Sequence, residues 1–270
     1  MGISQTLPPD QHTAAGLRVI SLVSVGAHPL SGRARRAEQD ARGVELGLQL
    51  AGHTLQVLHA GDANEPALRA YMGMGLERLH VLDAPPGSDV LPALADYLRE
   101  VGAQLVLTGT QAETGEGSGM LPFLLAERLG WPVVTGLAAV ESIDNGVALV
   151  LQALPRGQRR RLKVRLPLLA TVDNAAPQAR QAAYGPGQRG RLEVAEVEIE
   201  EDDLLANAQL QTAKPRPKRL KVIKAKSGAD RMKAATAKAS GGGGLVLKGA
   251  TAQEGAAAIL KMLVEEGVMH

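Results

Sequence analysis

Apolar residues along this chain gather in short, nearly continuous runs that alternate with stretches of helical period. The run over residues 17–25 is almost uninterrupted, the pattern of a parallel strand buried on both faces, and it predicts the first core strand. Over residues 37–50, Val44, Leu48 and neighbouring small residues recur at helical spacing, and Gly52 stands where a C-terminal cap falls. Further strands are predicted at 54–59, 79–82 and 104–108. Helices are predicted at 65–74, closed by Gly75, and at 90–101. Strands alternating with helices of about ten residues or more imply a parallel sheet covered on both faces.

The pattern changes between Val133 and Val172. Residues 137–143, 148–154 and 161–164 read as strands joined by turns, and Asn145-Gly146 is a strong hairpin signal. An antiparallel addition therefore follows the parallel unit, ending in the apolar run 166–172. The fold class expected is α/β: a parallel Rossmann-like sheet with helices on both faces, an added antiparallel hairpin and an extended C-terminal arm.

The ends of the chain differ from its middle. Residues 1–16, rich in Gly, Pro, Gln and Thr, read as a mobile tail, and residues 17–205 as the nucleotide-binding α/β domain. Residues 206–270 read as a basic and glycine-rich arm. It holds seven Lys or Arg between Lys214 and Lys226, interrupted by prolines, and four glycines at 241–244. The arm recovers order at its end. Thr251 and Glu254 form a capping-box pattern, Ile259, Leu260, Leu263 and Val264 make an apolar stripe, and Gly267 can terminate a helix over 252–266 that needs a surface to lie on.

Composition narrows the chemistry. At 270 residues and 45% hydrophobic, the chain can bury a substantial core, but with aromatics at only 2% that core must be Val, Leu, Ile and Ala. Stacking on nucleic-acid bases is poorly supported, and the net charge of +2 makes no global demand for a polyanion. No nucleic-acid partner is expected. Without cysteine there is no disulfide, thiolate zinc site or cysteine-ligated iron–sulfur cluster in this chain. The histidines show no metal-ligand spacing, so neither a metal nor a catalytic residue is expected. His28 reads as a loop residue near a strand end, and Arg33, Arg35 and Arg36 as a solvated charged face. The N-terminus lacks a signal-type apolar run and no window reaches the length of a membrane span, which reads as a cytoplasmic protein.

The most informative stretch is a strand, a glycine-rich turn and a helix. It runs from Gln104 through Gly109, Gln111, Ala112, Glu113, Thr114, Gly115, Glu116, Gly117, Ser118 and Gly119 to Met120, where helical sequence begins. The glycines let backbone approach a ligand, and the N–H groups and dipole of the helix favour an anion such as phosphate. Ser118 is a candidate N-cap. The pattern is neither a P-loop nor a GxGxxG fingerprint and lacks a phosphate-binding lysine, so an ordinary flexible loop explains it equally well.

Several segments together resemble the β subunit of electron-transfer flavoproteins, in that family's order. Gly73-Met-Gly-Leu-Glu-Arg-Leu is similar to its Met/Gly segment, Gly109-Thr-Gln-Ala to the opening of its nucleotide loop, and Leu129-Gly-Trp-Pro to the end of the following helix. Lys163-Val-Arg-Leu-Pro and Thr171-Val-Asp173 are similar to the approach to its partner-recognition loop. The resemblance implies an electron-carrier subunit without independent catalysis. It would hold AMP, or a second FAD as in electron-bifurcating relatives, and pair with an α subunit that holds the redox FAD. It further implies that Gln111 to Met120 surround the phosphates, that Leu22 and Ala60 line the adenosine pocket, and that Asp40 occupies the Asp of the family's Asn-Pro-x-Asp pattern. The carrier would take electrons from a flavin dehydrogenase, with a membrane-associated iron–sulfur flavoprotein as a candidate acceptor. A regulatory nucleotide-binding α/β module without redox role is the alternative.

Departures from the family lie in the recognition segment, which begins Asp173, Asn174, Ala175, Ala176, Pro177. It is shorter than in the family and contains no leucine; Tyr184 is its candidate anchor. One buried leucine contributes roughly 1.5–3 kcal/mol to an interface, so acyl-CoA dehydrogenases are not the expected donors.

Overall fold

A computed structural model describes residues 16–115, 117–209, 211–212, 227–229, 232 and 247–265. Contacts divide the chain into two units, residues 1–209 and 210–270. The described residues of the first unit form a nine-stranded mixed sheet with two small ribbons at its margins.

The sheet begins with β1 (Val19–Leu22) at its centre. β4 (Gln56–Gly61) lies parallel on one side, followed by β5 (Arg78–Asp83) and an edge strand, β12 (Arg191–Glu196). On the other side come β7 (Leu105–Thr108) and β11 (Leu168–Val172), also parallel, then β8 (Val133–Asp144). β9 (Val147–Ala153) and β10 (Arg159–Arg165) complete that side as an antiparallel meander. Asn145 at φ 48 and Gly146 at φ 74 make the β8–β9 turn, both in the left-handed region that a type I′ hairpin requires.

Alternation along the central strands divides the core into two layers. Val19 on β1, Val57 on β4, and Leu105 and Leu107 on β7 pack with Val44, Leu68 and Tyr71 of α1 (Glu38–Ala51) and α2 (Leu68–Met72). Ile20, Leu22, Leu58 and Val106 point the other way, to Leu94 and Leu98 of α3 (Leu91–Glu100) and Leu125 of α4 (Leu121–Leu129). The α/β class with helices on both faces and an added antiparallel hairpin is what the structure contains.

Several local expectations change. The run over 17–25 is not one strand: β1 stops at Leu22, and Val25–Ala27 (β2) turns back on Ala34–Arg36 (β3) as a ribbon at the rim. The helix over 65–74 contracts to the five residues of α2. β12 was not expected, because charged residues make up half of it and only Leu192, Val194 and Ala195 are apolar; it is an edge strand whose Glu193 meets Arg78 at 3.2 Å across the register. A short helix at Tyr184–Arg189 (α5) precedes β12; downstream of β12, Glu200–Glu201 (β13) pairs antiparallel with Ser88–Asp89 (β6), and a second short helix follows at Asp203–Ala206 (α6).

In the second unit α7 spans Ala252–Glu265. Thr251 and Glu254 close the capping box: the Thr251 N–H donates to Glu254 Oε2 at 2.9 Å and the Glu254 N–H to Thr251 Oγ1 at 3.4 Å. Ile259, Leu260 and Val264 are exposed on it. The tail over 1–15, the basic stretch Lys214 to Lys226, Gly241 to Gly244 and Gly267 lie outside the described residues.

Candidate functional site

β1 stands between β4 and β7, so the chain leaves β1 toward one side of the sheet and later fills the other. That reversal opens a crevice at the carboxyl ends of the strands, the place where open α/β sheets take ligands. A cavity of about 760 Å³ lies there, within the roughly 300–1,000 Å³ usual for small-molecule sites. Leu22, Leu58 and Ala60 form its apolar floor, Val90, Leu91 and Leu94 at the start of α3 one wall, and the glycine loop with the start of α4 the other.

The loop is fastened at its beginning. Asp40, buried in the first turn of α1, accepts the Gly109 N–H through Oδ1 at 2.9 Å. Its Oδ2 accepts the Ser24 N–H at 2.8 Å and the Ser24 hydroxyl at 2.5 Å. One carboxyl therefore ties the exit of β1 to the exit of β7. Burial pushes the Asp40 pKa up, against the opposing pull of the Ser24 and Gly109 hydrogen bonds. A Cβ on Gly109 would overlap Asp40 Oδ1, so the tie requires glycine. Beside it the Tyr71 hydroxyl donates to Ser24 O and accepts the Ala37 N–H, both at 2.8 Å. Burial, followed by the nearby Asp40 carboxyl, holds the Tyr71 pKa well above its ordinary value.

Glu113 continues the fastening. Its Oε1 accepts the Glu38 N–H at 2.7 Å at the N-terminus of α1, and its Oε2 accepts the Ala27 N–H and the Arg35 guanidinium, each at 3.1 Å. Thr114 Oγ1 donates to Val25 O at 2.6 Å, and the Gln111 side-chain amide donates to Gly117 O. Past Thr114 the turn is carried by glycine: Gly115, Gly117 and Gly119 have φ of 74°, 60° and 73°, conformations that L side chains adopt at a cost.

Of the residues singled out in the sequence, Leu22, Asp40, Ala60, Gln111, Ala112, Thr114, Gly117, Ser118, Gly119 and Met120 line the cavity. Glu113 and Gly115 are not among its lining residues, and Glu113 is turned onto the body of the protein. Glu116 lies outside the described residues. Ser118 is not the N-cap of α4. That position is Met120, without a side-chain cap, and the Ser118 hydroxyl accepts the Met120 N–H at 3.2 Å, just before the helix. Arg35 and Arg36 are not a solvated face either: Arg35 is paired with Glu113, and Arg36 donates to Arg180 O at 2.8 Å. His28 sits in the β2–β3 loop, where Nδ1 accepts the Leu30 and Ser31 N–H groups at 3.3 Å each. Sequence reading missed Leu58, Ser88, Asp89, Leu91, Leu94, Asp202 and Ala208, which come from segments carrying no motif; only the position of Leu58 in a predicted strand pointed toward it.

The segment after β11 is strapped to α1. Asp173 Oδ1 accepts the Ala175 N–H at 2.8 Å in a local turn, leaving Asn174, Ala175 and Pro177 exposed. Ala176 is buried, and its carbonyl accepts Arg42 at 2.8 Å, so it serves the core and not the surface. Arg180 grips the buried Glu45 carboxylate through Nε at 2.7 Å and Nη2 at 3.0 Å, and these bonds hold the Glu45 pKa below the usual carboxylate range. Tyr184 opens α5 and is 83% exposed.

Among the described residues no group of three or more His, Asp or Glu is placed to hold a metal ion, and no helix is long and apolar enough to cross a membrane. The electron transfer flavoprotein domain matches residues 33–202. The chain is 57% identical to the electron transfer flavoprotein subunit beta of Chromohalobacter salexigens over 267 residues, covering 98% of this chain and 100% of that one. It is 28% identical to a putative electron transfer flavoprotein subunit, YgcR, of Escherichia coli K12, over 60% of this chain and 63% of that one. It is also 31% identical to a probable electron transfer flavoprotein subunit beta of Saccharomyces cerevisiae, over 39% of this chain and 42% of that one.

Proposed function

The chain belongs to the electron transfer flavoprotein family as a β-type subunit, and on that premise we propose that it holds AMP in the crevice above β1 and β7 and pairs with an α subunit that bears FAD. The observation that supports this most is the glycine loop running into α4, whose first turn has no side-chain cap and meets a cavity of about 760 Å³. Pro122 has no N–H and the Phe123 N–H already donates to Met120 O at 3.0 Å, so the phosphate is met by backbone N–H groups of the glycine loop and by the dipole of α4, without help from a lysine. The cavity fits the group: its floor of Leu22, Leu58 and Ala60 offers an apolar surface to adenosine, and the loop offers backbone donors to the phosphate.

In this reading the nucleotide is structural. Asp40 and Glu113 fix the first half of the loop, and the glycines of its second half let the backbone close on the phosphate. FAD, held mainly by the α subunit, supplies the redox chemistry when bound. This chain contributes the wall against which that subunit sits and the exposed surface around Tyr184 that meets a flavin dehydrogenase. The arm over 206–270 carries α7 to the α subunit, and a membrane-associated iron–sulfur flavoprotein is the acceptor that the pair reaches from the cytoplasm.

The test is co-expression with the α-type subunit, followed by denaturation of the purified pair, mass identification of the released nucleotide and a flavin count. One AMP and one FAD per heterodimer is the expected result. Two FAD and no AMP would move this chain to the bifurcating type, and a colourless protein without nucleotide would overturn the proposal.

A further inference from the structure

Beside the β2–β3 ribbon a second cavity, of about 450 Å³, lies between β3, the start of α1, α2 and the segment after β11. It shares no lining residue with the cavity above β1 and β7. Alanines, among them Ala41, Ala67 and Ala70, leave it open, and Arg35, Arg36 and Arg42 line it with Glu38 as the one acid among the described lining residues. Arg35 is paired with Glu113. The other two arginines are met only in part. Arg36 donates through Nη2 to Arg180 O at 2.8 Å, while its buried Nη1 has no hydrogen-bond partner among the described residues. Arg42 donates through Nη1 to Ala176 O at 2.8 Å, and its buried Nε likewise has no partner among them. Its Nη2 has Glu38 Oε1 at 3.7 Å, beyond hydrogen-bond reach.

The Nε–Nη2 edge is the one by which Arg180 grips the Glu45 carboxylate, at 2.7 and 3.0 Å, and it suits a carboxylate or a phosphate alike. On Arg42 that edge carries no hydrogen bond among the described residues, although the side chain is only 14% exposed. A buried donor left unmet costs free energy, and more so on a cation. Burial also lowers the Arg36 pKa, against smaller opposing effects of Tyr71 and Glu45. Glu38 does not offset this, because 61% of its side chain is exposed and its contact with Arg42 is an ordinary solvated one. We propose that the cavity binds a small doubly charged oxyanion of the phosphate type, gripped by the Nε–Nη2 edge of Arg42 and by Arg36, with Glu38 displaced into solvent. The site is independent of the nucleotide reading. Since the same two guanidiniums hold Ala176 O and Arg180 O, the bound anion also steadies the segment that leads to the exposed Tyr184.

The experiment uses the heterodimer purified with its bound cofactors and follows hydrogen exchange as inorganic phosphate is raised, against sodium chloride of equal ionic strength. Phosphate should slow exchange in residues 174–183 severalfold and in a saturable way, and chloride should not. Arg42→Gln removes the gripping edge and its charge, and should raise the half-saturating phosphate by about tenfold or more. Ala70→Leu fills the space, leaves every charge in place and should abolish the effect. Glu38→Gln removes the competing carboxylate and should lower the half-saturating phosphate by about threefold or more. These last two variants decide the matter if Arg42→Gln does not fold. Absence of saturable slowing in the natural protein, equal slowing by chloride, or the same half-saturation in folded Arg42→Gln or Ala70→Leu would overturn the inference.

Discussion

Asp40 Oδ1 accepts the Gly109 N–H at 2.9 Å, joining the first turn of α1 to the first residue of the loop that follows β7. The same carboxyl holds Ser24 beyond β1, so one buried side chain ties together the segments that leave β1 and β7. Asp40→Ala leaves the Ser24 and Gly109 donors unmet and should cost about 2–4 kcal/mol, read from the urea midpoint.

Asp40→Asn gives the pH dependence. The folded-state pKa of Asp40 is raised, chiefly by burial, so its contribution is fully present below the ordinary value of about 3.9 and declines as pH rises above it. Asn keeps an acceptor for Gly109 and cannot ionise. The stability advantage of the natural protein over Asp40→Asn should therefore shrink between pH 4 and pH 8, and a difference constant across that range would contradict the assignment.

Glu45 runs the other way. Arg180 lowers its pKa, so this pair stabilises above the ordinary glutamate value of about 4.3, and its contribution is lost as pH falls. Arg180 is 47% exposed at its side chain, which limits the effect. Arg180→Met should cost about 1–2 kcal/mol at pH 7 and converge with the natural protein near pH 3. Hydrogen exchange should quicken in residues 174–183, which the pair holds against α1.

Gly117→Val places a branched side chain at φ 60° in the loop. If the loop cradles phosphate by close backbone approach, nucleotide content should fall severalfold in protein that still folds and still pairs. Unchanged occupancy in the variant would take the phosphate away from this loop.

Tyr184 is exposed and its removal should not affect the core: Tyr184→Ala is expected within about 0.5 kcal/mol of the natural protein. Stopped-flow reduction by a medium-chain acyl-CoA dehydrogenase should be slow and unsaturable, while the cognate flavin dehydrogenase should lose rate on Tyr184→Ala. Fast, saturable reduction by the acyl-CoA enzyme would refute the donor assignment.

Deleting residues 241–270 removes α7, whose Ile259, Leu260 and Val264 are exposed. Sedimentation should show a weaker heterodimer, and an equally tight complex would exclude docking by this helix.

By itself the sequence determined the class of fold. Strands buried on both faces leave continuous apolar runs, as at Leu105–Thr108, and turns such as Asn145-Gly146 depend on local backbone energetics that neighbouring residues set. The capping box at Thr251 and Glu254 was legible for the same reason, since its bonds span three residues. The glycine loop could be found but not interpreted residue by residue: Glu113 has the look of a loop acid, and only the arrival of Arg35, Ala27 and the start of α1 makes it a fastening. Tertiary structure decided the far side of the cavity. Asp89 and Asp202 meet there because a two-residue ribbon pairs across more than a hundred positions, a contact whose energy comes from long-range closure and leaves no periodic mark in either segment. β12 escaped for a related reason, since an edge strand with one solvated side needs few apolar residues, and its place beside β5 is fixed by backbone pairing that any sequence can make.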